Sequence, residues 1–101
     1  MRDKIPQIIK EREGIDVDMD CVKDSDKHLY YLQKKIVEEA SELSDAKTQE
    51  HVVEEIVDVL EVIDAICFVK NISKENISQV QKEKYEKRGG FLGGFVMKKS
   101  V

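Results

Sequence analysis

Apolar residues in this chain fall into two spacings, and the switch between them marks the segments. Ile5, Ile8 and Ile9 share one side of a short helix expected over residues 4–13. Pro6 suits its first turn and Gly14 its end. Residues 15–23 then alternate, with Ile15, Val17, Met19 and Cys21 set against Asp16, Asp18 and Asp20. A period of two predicts an extended stretch or short strand. Asp24, Ser25 and Asp26 offer caps for the next helix. That helix is expected over residues 26–47, with Leu29, Leu32, Ile36, Ala40 and Leu43 as its apolar stripe. Thr48 caps a second long helix over residues 49–70, where Ile56, Leu60, Ile63 and Cys67 mark one side and Val59, Val62, Ile66 and Val69 another. A third segment runs from a Ser73 cap to Arg88, with only Ile77, Val80 and Tyr85 apolar, and Gly89-Gly90 stops it. The tail carries Phe95-Val96-Met97. Residues 94–99 are candidates to pair with 15–23 in a small two-stranded element.

The pattern predicts an all-α single domain of residues 1–101, built on two long antiparallel helices with shorter ones around them. The second long helix is apolar around most of its circumference, so most of it must be buried. A chain of 101 residues has little else to cover it with. Association with a second copy, completing a four-helix bundle, is the natural remedy.

Acids interrupt this scheme where they are least expected. Glu38, Glu39 and Glu42 lie in the first long helix, and Glu55 and Asp58 in the second. Residues three or four apart share a helix face, so each segment aims two or three carboxylates at one region. At about 100° per residue Glu39 falls inside the apolar stripe, between the directions of Leu32 and Ala46, with Glu38 and Glu42 at its edge. An acid in an apolar stripe needs a partner. If the two helices pack side by side, at least four carboxylates converge, and a divalent cation is the economical way to neutralise them. Oxygen-only ligands select a hard ion, Mg²⁺ or Mn²⁺, rather than zinc.

Composition narrows the field. Charged residues are 38% of the chain, hydrophobic residues 41%, and the net charge is −4, with both signs interspersed. A general polyanion-binding role, and nucleic acid as a partner, are disfavoured, although a local basic site is compatible with this balance. No apolar stretch matches a membrane span, since Glu61 and Asp64 break the best one. Met1 leads directly into a charged segment without a signal-peptide pattern, and Cys21 and Cys67 lack metal-site spacing. A cytoplasmic, reduced setting is expected.

Each chemical reading has a plainer rival. Any single Glu could belong to a solvated face with an intrahelical partner, as Lys35 with Glu39. The whole constellation, inside a stripe and repeated on successive helices, is not explained that way. A di-iron bundle would need Glu-x-x-His, and the residues three before His28 and His51 are Ser25 and Thr48. Both histidines read as exposed helix-start residues. Arg88-Gly89-Gly90 reads as a helix end rather than an RNA-binding box. Asp64, facing an apolar side, reads as a core or intersubunit residue rather than a ligand. Lys82, Lys84 and Arg88 form either a solvated basic face or a phosphate site, and Arg2, Asp3 and Lys4 alone would pass for a charged terminus.

The spacing Glu38-Glu39-x-x-Glu42 followed by Glu55-x-x-Asp58 resembles the EExxE…ExxD signature of the all-α nucleoside triphosphate pyrophosphohydrolases. Lys35, Leu43 and Asp58-Val59-Leu60 are similar to the words around that signature. The opening Arg2-Asp3-Lys4-Ile5-Pro6 and the closing Lys87-Arg88-Gly89-Gly90-Phe91 resemble a small single-domain branch, MazG-like or phosphoribosyl-ATP pyrophosphohydrolase-like. The likeness spans nearly the whole chain.

This resemblance implies Mg²⁺, with Mn²⁺ as a substitute, held by Glu39, Glu42, Glu55 and Asp58. Glu38 matches the leading acid, acting on a second ion or in activating water. It further implies cleavage of a nucleoside triphosphate between the α and β phosphates, in house-cleaning of nucleotide pools, by a homodimer or homotetramer. Lys35, Lys82, Lys84 and Arg88, with Arg2 and Lys4 behind them, are the candidates to hold phosphate. Two alternatives stand beside this reading. One is phosphoribosyl-ATP pyrophosphohydrolase activity in histidine biosynthesis; the other is a non-catalytic helical dimer with a structural cation site. No residue points to a particular base.

Overall fold

The computed structural model describes residues 1–16 and 23–98. Its four helices are α1 (Ile5–Glu13), α2 (Ser25–Asp45), α3 (Gln49–Lys70) and α4 (Lys74–Arg88), with no strand among the described residues. The all-α expectation is met. The two-stranded element is not seen: residues 94–98 have no strand, and most of its other half, residues 17–22, lies outside the described residues, as do residues 99–101.

Local chemistry sets each boundary. Pro6 sits in the first turn of α1, and Gly14, at φ 70°, takes the left-handed conformation that ends it, its N–H donating to the Lys10 carbonyl. That conformation strains any side chain with a Cβ. Asp24 caps α2, one Oδ1 accepting from the N–H groups of Asp26 (2.9 Å) and Lys27 (3.1 Å). Thr48 Oγ1 accepts from His51 N–H (3.1 Å) and Ser73 Oγ from Asn76 N–H (3.1 Å), satisfying amides that would otherwise be orphaned at the starts of α3 and α4. Gly89 closes α4 at φ 73°, as expected of a helix end. The first long helix stops at Asp45 rather than residue 47 because Ala46 is already extended, at ψ 133°, feeding the turn into the Thr48 cap.

Only three residues separate α2 from α3, so the two must fold back as an antiparallel hairpin. Theirs is the one substantial helix–helix packing among the described residues. Leu29, Leu32, Ile36 and Leu43 face the partner helix at least half-buried, as do Val59, Val62, Ile66 and Val69. Ala40, expected in the stripe, is exposed. Glu39 takes the central place there instead. The other apolar side of α3 is open, with Ile56, Leu60 and Ile63 between 39% and 53% exposed. α4 is exposed along its whole length, and beyond it Phe91, Leu92 and Phe95 are bare. Cys67 is a free, half-buried thiol, consistent with a small packing residue.

Candidate metal centre

The most buried polar residues of the described chain are two carboxylates. Glu39 is 6% exposed and Glu55 7%, against 9% for Val62, the one buried apolar residue among those described. Glu39 and Glu55 stand at equal distances along the chain on either side of Lys47, so the antiparallel hairpin brings them to the same level. The acids then form two groups that share Glu39. Glu38, Glu39 and Glu42 place one carboxylate oxygen each within 4.8 Å of the others, and so do Glu39, Glu55 and Asp58. All five acids predicted from sequence are therefore gathered in one place, and Glu61 and Asp64 are not among them.

The charge balance of this cluster is partial. Lys35 Nζ lies 3.3 Å from both Glu38 Oε1 and Glu39 Oε1, so the intrahelical pair foreseen for Glu39 does form. Burial acts to lower the Lys35 pKa, and its hydrogen bonds and charge interactions with Glu38 and Glu39 outweigh that and raise it. The Arg2 guanidinium pairs with Asp58. His51 Nε2 is 3.3 Å from Glu55 Oε1. Each of these basic groups meets an Oε1 or Oδ1. The second oxygens, Glu39 Oε2 and Glu55 Oε2, are buried with no hydrogen-bond partner. An unmet buried acceptor costs about 1–3 kcal/mol, more when charged. Glu42, exposed at the edge, titrates above the ordinary 4.5, first because Glu39's charge lies beside it, then through desolvation, Glu55's charge and hydrogen bonding with the Glu55 and Glu39 carboxylates.

These observations fit a hard divalent ion. Oxygen–metal distances of about 2.1 Å put opposite ligands about 4.2 Å apart in an octahedron. Oxygens already within 4.8 Å of one another need only small side-chain adjustments to close on an ion. The groups gathered here are all carboxylates, the oxygen ligands that hard cations take. The two orphaned oxygens supply the reason, independent of mere acid clustering, for a ligand here.

Of the cations proposed to hold phosphate, Lys35 and Arg2 are at the cluster. Lys4 stands at the N-cap of α1. Lys82, Lys84 and Arg88 lie on α4, which has no substantial packing against α2 or α3, so the single chain does not bring them to the acids. Sequence reasoning missed two partners. His51, read as a helix-start residue, reaches Glu55 one turn on, and its i,i+4 spacing was the available signal. The Arg2–Asp58 pair spans 56 positions, and no local pattern could have disclosed it.

Comparison with known protein families, with curated proteins and with solved structures gave no match to this chain.

Proposed function

We propose that this chain is a Mg²⁺-dependent nucleoside triphosphate pyrophosphohydrolase, converting a (d)NTP and water to the monophosphate and pyrophosphate. The observation that carries the reading is the pair of carboxylates, Glu39 and Glu55, buried across the α2–α3 hairpin with one oxygen each unsatisfied. The motif resemblance supplies the reaction, and the two groups of clustered carboxylates support it. Glu39, Glu42, Glu55 and Asp58 would hold the ion. A bound Mg²⁺ would screen phosphate charge and acidify a water.

The chain's own residues do the rest. Glu38 is more exposed than Glu39, lies within the same oxygen cluster, and is placed to accept the proton of the attacking water. Lys35 and Arg2 sit where charge on the phosphates must be balanced. Burial of Glu39 and Glu55 in the hairpin fixes the ligands before substrate arrives, which lowers the cost of assembling the site.

Association completes the bundle in this proposal, as a homodimer or homotetramer. The chain exposes 9584 Å², against about 5,800 Å² for a compact monomer of this mass. Its radius of gyration is 17.8 Å, against about 13 Å. The open side of α3, with Ile56, Leu60 and Ile63, is the surface that a second copy would cover. Among the described residues no helix is long and apolar enough to cross a membrane.

The test is pyrophosphate release from a panel of ordinary and modified (d)NTPs and phosphoribosyl-ATP, in Mg²⁺, Mn²⁺ or EDTA. Turnover of one or a few nucleotides, lost in EDTA and in Glu39→Gln with helicity intact, is expected. Hydrolysis of phosphoribosyl-ATP alone would move the activity to histidine biosynthesis. Silence of the folded, Mg²⁺-bound protein across the panel would favour the structural cation site.

A further inference from the structure

Among the described residues three basic side chains, Lys35, His51 and Arg2, touch the acid cluster, and one differs in kind. Lys35 and His51 each sit within four residues of the acids they meet, so their pairing is local and accompanies helix formation. Arg2 belongs to neither long helix. Its carbonyl accepts from Ile5 N–H (3.1 Å) in the turn that opens α1, and its guanidinium reaches across to Asp58. α1 itself has no substantial packing against α2 or α3. The pair is half in water, with the two side chains 55% and 33% exposed. It serves one carboxylate of the Glu39–Glu55–Asp58 group and leaves Glu39 Oε2 and Glu55 Oε2 unmet. A divalent cation would serve all three. A solvent-exposed pair is worth little, so it is readily exchanged for such an ion.

We infer that Arg2 is a displaceable counter-ion: it balances Asp58 in the metal-free chain, yields that carboxylate to a divalent cation, and is left beside the ion to take an oxygen of the polyphosphate. This rests on the metal-site reading above. The residue acts first by position and then by binding. Its planar fork matches a carboxylate and a phosphate oxygen pair equally well, which is the property that lets one side chain do both. Arg2 therefore opposes the cation when no substrate is present and favours the polyphosphate once the cation is bound.

The experiment uses the full chain, with Mn²⁺ binding followed by the paramagnetic resonance of the free ion, and then inorganic triphosphate binding by calorimetry at saturating Mn²⁺. Arg2→Gln is expected to bind Mn²⁺ about 2- to 5-fold more tightly than the parent, the range that loss of one exposed competing pair allows. The same variant should bind triphosphate roughly tenfold more weakly. Arg2→Lys, which keeps the charge, should remain near the parent for Mn²⁺ and fall between for triphosphate. Lys74→Gln, at the start of α4, controls for net charge and should change neither.

Equal or weaker Mn²⁺ binding by Arg2→Gln would overturn the inference, as would an equal gain in Lys74→Gln or unweakened triphosphate binding. If the parent and Arg2→Gln both bind no Mn²⁺, the metal-site reading itself fails, an outcome visible before the variants are compared.

Discussion

Two sides of α3 have opposite needs. The side turned to α2 is packed, yet it carries Glu55 and Asp58 among Val59, Val62 and Ile66. The side turned outward is the more uniformly apolar, with Ile56, Leu60 and Ile63, yet it is open. A helix in a self-sufficient monomer would show the reverse, with acids outside and the apolar row within. The difference teaches where the isolated chain is unbalanced. At the packed side the carboxylates outnumber the basic groups that meet them. At the open side apolar surface is uncovered.

Breaking the open side should produce the largest effect. Leu60→Glu places a carboxylate in the middle of the row that a second copy would bury. Burying an unpaired charge costs several kcal/mol, so the association constant should fall by roughly a thousandfold or more. Sedimentation equilibrium would show the parent as a dimer or tetramer and the variant as a monomer. The acids on the packed side are untouched. An unchanged oligomer in Leu60→Glu, or a monomeric parent, would mean that something else covers this row.

The packed side can be tested by a substitution that separates stability from function. Glu39→Leu removes a buried carboxylate and continues the stripe of Leu32, Ile36 and Leu43. Exchanging buried charge for well-packed apolar volume is often stabilising, here by about 1–2 kcal/mol in EDTA, or roughly 4–16 °C in Tm for a domain of this size. The parent should gain about 2.7 kcal/mol from Mg²⁺ at a hundredfold excess over its Kd. Glu39→Leu should gain nothing and should have no turnover. Thermal denaturation with and without Mg²⁺ measures both. A variant less stable than the parent in EDTA would show that Glu39 is held for structure rather than for an ion.

How far the sequence carried these conclusions depends on range. Asp24, Thr48 and Ser73 announced their helices, because a cap bonds an amide two or three residues away. Glu39 stood out because an acid at a stripe position violates a local period. The convergence of acids from two helices was expected from i,i+3 spacing, but the sharing of Glu39 between two groups depends on the hairpin. Lys82, Lys84 and Arg88 show the limit: their charge was legible, but nothing local says which surface α4 faces. The tail is a similar case. Phe95 lies in the segment expected to pair as a strand, and it is exposed together with Phe91 and Leu92, because burial depends on partners that composition does not specify.

The smallest effect, and the one that most directly reports charge on the packed side, is at Glu42. Its folded pKa is raised above the ordinary 4.5, so between the unfolded and folded values the native chain binds more protons than the unfolded one. Stability must then fall as pH rises through that window, and the penalty persists above it. A divalent cation reverses the sign, since it favours the ionised carboxylate and competes with the proton. In EDTA the Tm of Glu42→Gln, relative to the parent, should therefore rise as pH goes from about 4 to 7. In Mg²⁺ the same difference should fall, because the variant has lost a ligand that matters more as the proton leaves. Paired thermal scans across that range resolve the two trends. Parallel profiles in EDTA would place Glu42 outside Glu39's field. Parallel profiles in Mg²⁺ would leave the ion to Glu39, Glu55 and Asp58 alone.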